Sequence, residues 1–102
     1  MDGLNDLNLV VMEGMVSSAS EIKDGSGVAF QDFTLETTRK HSNGIGHYKF
    51  PCVLSDKVLA SVECLEVGDR IRIRGHLQES TYMIDENHKF TYGKVRVDFI
   101  EI

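Results

Sequence analysis

The chain has 102 residues, enough for one domain with a single modest core and too few for a second. Hydrophobic residues make up 41% and charged residues 26%, an ordinary globular composition, while a formal net charge of −5 excludes coating nucleic acid by bulk electrostatics. Any such activity has to rest on a local basic face. No apolar run approaches membrane-spanning length, and the opening Met1-Asp-Gly-Leu-Asn-Asp6 is acidic where a signal peptide needs positive charge, so the expected place is the cytosol. Cys52 and Cys64 have no paired metal-ligand spacing and read as buried reduced thiols, with a disulfide between them as the alternative.

After a polar leader over residues 1–6, Leu7 to Val16 is rich in Leu, Val and Met and reads as a first strand, with Gly14 as a close-approach or bulge position. Glu21-Ile-Lys23, the turn Asp24-Gly-Ser-Gly27 and the strand opening at Val28 make a hairpin. In that second strand the apolar phase slips, with Val28 and Phe30 in one parity and Phe33 and Leu35 in the other, so a bulge is expected near Gln31-Asp32. Thr37 to Gly46 is a polar, locally basic loop, and His47 to Leu54 resumes alternation with Tyr48, Phe50, Cys52 and Leu54 in phase. Ser55 to Gly68 is the one convincing helix: Val58, Leu59, Val62 and Leu65 recur at helical spacing, Ser55 or Asp56 caps the start, Gly68 suits a left-handed exit, and Cys64 falls on the apolar stripe.

The stretch around which the rest is organised is Val67-Gly-Asp-Arg-Ile-Arg-Ile-Arg-Gly-His-Leu77. Ile71 and Ile73 alternate with Arg70, Arg72 and Arg74, which predicts a half-buried strand with three guanidiniums on its solvent face. Gly75 marks a place where that strand bends or another backbone comes close. Asp85 to Lys89 is a polar turn. Phe90 to Ile102 closes the chain, with Lys94 and Arg96 alternating with Val95 and Val97, so the last two strands pair and their basic sets share a face.

Strand, hairpin, strand, helix, long strand, hairpin and strand is the element order of a five-stranded OB-fold barrel: an all-β domain with one short helix that plugs the barrel's end. On these residues the sequence also resembles a family. Leu9-Val-Val-Met-Glu-Gly14, Gly27-Val-Ala-Phe-Gln-Asp-Phe-Thr-Leu-Glu-Thr37 and Val67 to Leu77 look like bacterial single-stranded DNA-binding protein, and the likeness runs through the helix at Asp56 to Leu65 and the closing strand. Each motif alone is weakly specific; order and spacing carry the resemblance.

The resemblance implies a cytoplasmic, nucleoid-associated homodimer or homotetramer that binds single-stranded DNA with little sequence preference, in replication, recombination or repair; RNA remains open as the ligand. It implies stacking at Tyr48, Tyr82 and His41, and phosphate contacts from Arg39, Lys40, Lys49, Arg72, Arg74, Lys89 and Lys94. The chain departs from the family in lacking Trp, in having Leu54 near a usual aromatic position and in its short loop after Arg39. It also ends at Ile102 without the family's flexible, acid-tipped tail, which suits a shortened relative, plasmid-, phage- or primosome-associated, or a truncated form. No nucleophile elbow, phosphate loop or paired-carboxylate signature is present, and His41, His47, His76 and His88 are dispersed, so the expectation is a non-enzyme without metal or cofactor. The alternative expectation is a protein-interaction OB module with weak or no nucleic-acid binding, using Phe99, Ile100 and Ile102.

Overall fold

The computed structural model describes residues 6–25 and 27–102. Residues 1–5 of the expected leader and Ser26 of the expected Asp24 to Gly27 turn lie outside the described residues. The elements are β1 (Val10–Ala19), β2 (Lys23–Gly25), β3 (Val28–His41), β4 (Gly44–Ser55), α1 (Asp56–Val62), β5 (Arg70–Met83) and β6 (Lys89–Glu101). In β5 the alternation holds: Ile71 and Ile73 are 2% and 1% exposed, while Arg70, Arg72 and Arg74 are on the surface.

The sheet order is β1-β5-β6-β4-β3, and a further β1–β3 pairing closes the ring; β2 adds a short strand to β3 outside it. Neighbours run antiparallel except β4 and β6, which are parallel over Cys52–Leu54 and Val95–Val97. With α1 between β4 and β5, this is the closed five-stranded barrel of the OB-fold. Its interior is filled by Val16, Phe33, Leu35, Cys52, Leu54, Ile71, Ile73, Val95 and Val97, with Leu59 of α1 and Leu65 packed onto the same cluster. Burial pushes the Cys52 thiol up to about 12.

Two glycines let the small ring close. A Cβ on Gly14 would collide with the Glu36 carbonyl oxygen, and one on Gly75 with the Arg96 carbonyl oxygen. At Gly75 the β5–β6 register also shifts, so β5 bends and serves two neighbours, β1 along Arg70–Gly75 and β6 along Arg72–Met83.

Three local expectations are corrected. The bulge lies on β1 between Val16 and Ser18, and β3 keeps one register with β4 from Phe30 to His41. The phase slip in β3 is resolved by Gln31, which is fully buried in step with Phe33 and Leu35. Its Nε2 donates to the carbonyls of Ser20 and Leu65, both at 2.9 Å, and its Oε1 accepts from Leu65 N at 2.9 Å. A polar residue occupies a core position because it ties two loops whose backbone groups would otherwise be buried unpaired. The helix, in turn, ends at Val62 rather than Leu65: Glu63 takes a φ of 67°, Leu65 reaches the core from the loop, and Gly68, with φ 100°, serves the turn into β5. Cys64 therefore leaves the helix stripe and is exposed, and both cysteines are free thiols.

Beyond the barrel the strands continue. The residues of β4 before Cys52 and of β6 before Val95 project from the same end, because the two strands run parallel, and past that point they no longer pair with each other. Each stays paired with its hairpin partner: β3–β4 as far as His41↔Gly44, β5–β6 as far as Met83↔Lys89. The result is two ribbon arms. They account for a radius of gyration of 15.3 Å, against about 13 Å for a compact domain of this size.

Candidate nucleic-acid interface

The segment expected as a loop after Thr37 is strand, and this creates the first arm. Odd residues of β3 and even residues of β4 face inward in the barrel, and the same alternation continues outward along the arm. Thr37, Arg39 and His41 thus share one face with Gly46, Tyr48 and Phe50. Where Leu35 and Cys52 were enclosed by the barrel, Tyr48 and Phe50 have no opposing wall and are 42% and 38% exposed. Together they line a groove of about 480 Å³. His41 Nε2 and the Tyr48 hydroxyl share a 2.6 Å hydrogen bond, with the rings edge-on at 75°. Gly46 makes room for this pair, since a Cβ there would come within 2.6 Å of the Tyr48 hydroxyl and 2.9 Å of His41 Nε2. Lys40 and Lys49 belong to the opposite face, where Lys49 Nζ and His47 Nδ1 lie 4.0 and 3.7 Å from Glu36.

The second arm carries aromatic rings on its other face. Tyr82 stands directly across from Phe90, and Phe90 stacks on Tyr92 with centroids 6.1 Å apart and planes 18° off parallel. Tyr82 and Phe90 are 64% and 57% exposed. Lys94 shares this face; Lys89 lies on the reverse. The turn at the tip is tied by Asp85, whose carboxylate meets His88 Nδ1 at 2.8 and 2.9 Å and accepts from Asn87 N; the His88 contact first, then the Asn87 N–H, hold its carboxyl below the usual range. Phe90 and Tyr92 were missed in the sequence reading. The signal for them was present: they continue the parity of Lys94 and Arg96.

The β5 arginines belong to another region. Arg72 donates through Nε and Nη2 to one oxygen of Glu13, at 3.1 and 2.9 Å, with Glu101 at 3.8 Å, and the Glu13 bond and the two carboxylates raise its pKa further. Arg70 is 4.0 Å from Glu13, and Arg74 lies 5.3 Å over the Phe99 ring. Lys94 is held by Asp32 at 2.6 Å. Among the described residues, the members of the expected phosphate set without an ion-pair partner are Arg39, Lys40, Arg74 and Lys89. Three of these four are on the arms.

The fold and these two ribbons define a small OB-fold domain with aromatic arms. A scan against known protein families and a search of curated proteins find no match to this chain. Among the described residues no group of His, Cys, Asp and Glu is disposed to hold a metal ion, and no helix is long and apolar enough to cross a membrane.

Proposed function

We infer that the protein binds single-stranded nucleic acid, single-stranded DNA in the first instance, with little sequence preference. Bases stack on Tyr48 and His41 of one arm and on Tyr82, Phe90 and Tyr92 of the other, and Arg39, Lys40 and Lys89 meet phosphates. The observation that carries this reading is the exposure of rings on two arms that leave the barrel at one end, with, among the described residues, Arg39 free on the ring face of the first and Lys40 and Lys89 free on the reverse faces. A ring offers every base a π-face, so such a surface is tolerant of sequence. The rings lie on opposite faces of two ribbons that no longer pair with each other, and a strand touching both crosses from one arm to the other.

The test is a titration of a fluorescent oligothymidylate of about 16 nucleotides at low salt, followed by anisotropy. Binding that weakens steeply with salt supports the reading; unchanged anisotropy with folded protein overturns it.

A second reading, a protein-interaction OB module that assembles as a homodimer or homotetramer, is favoured by the outer face of β1, β5 and β6. There Leu9, Val11 and Phe99 are 57%, 63% and 50% exposed, Arg70 and Arg72 are already paired with Glu13 and Glu101, and Arg74 lies over the Phe99 ring. Sedimentation equilibrium reads this directly: a monomer at all concentrations removes it.

A further inference from the structure

The outer face of β3, β4 and β6 carries a groove of about 390 Å³, with Ser20 on one side, Tyr92 and Lys94 on the other, and Thr34 and Pro51 between. Asp32 stands in it. Its Oδ1 is 2.6 Å from Lys94 Nζ and its Oδ2 is 3.5 Å from Lys23 Nζ, so one carboxylate of β3 holds a cation from β6 and another from β2. The Lys94 and Asp32 side chains are only 20% and 31% exposed, which puts the pair down in the groove.

An ammonium beside an aromatic ring suits a nucleotide, with the ring for the base and the ammonium for the phosphate. Here a carboxylate already fills the position that a phosphate oxygen would take on Lys94. We propose that Asp32 is an internal competitor for phosphate, a latch that withholds Lys94 from a bound single strand and thereby limits affinity and salt dependence. The proposal rests on the single-strand reading above. Its logic is electrostatic: a phosphate that takes Lys94 leaves Asp32 beside another anion, whereas neutralising Asp32 frees the ammonium without moving it.

The experiment compares oligothymidylate binding by the wild-type chain, Asp32→Asn, Lys94→Met and the double variant between 50 and 200 mM NaCl, with circular dichroism as the check on folding. Asp32→Asn is expected to bind at least about two- to fivefold tighter at 50 mM, the range of an exposed ion pair being the lower bound for this part-buried one. Its salt slope should steepen by about 0.7, the value of one added phosphate contact on a single strand. Lys94→Met should abolish this gain in the Asp32→Asn background. Glu66→Gln, on an exposed loop, should give less than half of the gain and so separates the latch from a change in net charge. Should Asp32→Asn not fold, Asp32→Ser replaces it.

If the wild type binds and Asp32→Asn gains nothing, or the gain survives loss of Lys94, the latch is overturned and the single-strand reading stands. If neither binds, both fall. If Asp32→Asn alone binds, the wild type does not bind single strands as inferred above and Asp32 is what prevents it, so the latch holds while the reading of the wild type falls.

Discussion

The arms are continuations of four of the barrel's five strands, yet the two regions treat side chains in opposite ways. Inside the barrel, alternation sends Ile71, Ile73, Val95 and Val97 into a closed core, and outside it Glu13, Asp32 and Glu101 neutralise neighbouring cations. A few residues further along, the same inward phase delivers Tyr48 to solvent because no strand faces it, and Arg39 on the same face has no carboxylate partner. What changes is the enclosure. A strand's alternation determines which residues share a face; closure of the sheet determines whether that face becomes core or surface.

The widest separation between the two regions should come from Gln31. Gln31→Leu removes the partners of Leu65 N–H, Leu65 C=O and Ser20 C=O, and is expected to cost about 3 kcal/mol or more of stability, read by chemical denaturation. Tyr48→Ala and Tyr82→Ala should shift stability by no more than about 0.5 kcal/mol while each weakens oligothymidylate binding by roughly 1–3 kcal/mol. An arm substitution that unfolds the barrel, or leaves binding untouched, would show that the arms are not a binding surface independent of the core.

The cations sharpen the contrast between arms and barrel. Arg39→Ala is expected to flatten the salt slope by about 0.7, and Arg72→Ala, whose guanidinium is held by Glu13, should leave that slope unchanged. The smallest effect is chemical. At pH 8 iodoacetamide should modify Cys64 and spare Cys52 until the chain unfolds, as mass spectrometry of the two peptides would show. Because the folded Cys52 pKa is raised to about 12 from 9.0, its contribution to stability is complete below pH 9 and declines as pH rises from 9 to about 12.

Much of the barrel was legible in the residues. The Ile71/Ile73 alternation, the close approaches at Gly14 and Gly75 and the pairing of the last two strands follow from local pattern, and element order led to the OB-fold. Gln31 misled because a buried amide looks polar in sequence; only the loops it ties explain its phase. The early end of α1 depends on Glu63 adopting a positive φ, which no propensity announces. The site was less legible, for a physical reason. Whether Arg72 is free depends on Glu13, 59 residues away, and on the β1–β5 register that places them side by side. Likewise the segment from Thr37 to Gly46 reads as loop from composition, and its cross-strand pairing makes it a ribbon that displays His41 and Tyr48 on one face.

Amide chemical-shift mapping on the ¹⁵N-labelled chain with oligothymidylate tests the central claim most directly, since it reports location rather than affinity. Perturbed amides are expected to cluster in residues 37–50 and 80–94, with residues 70–74 unmoved. Shifts centred on the β5 arginines, with both arms silent, would contradict that claim.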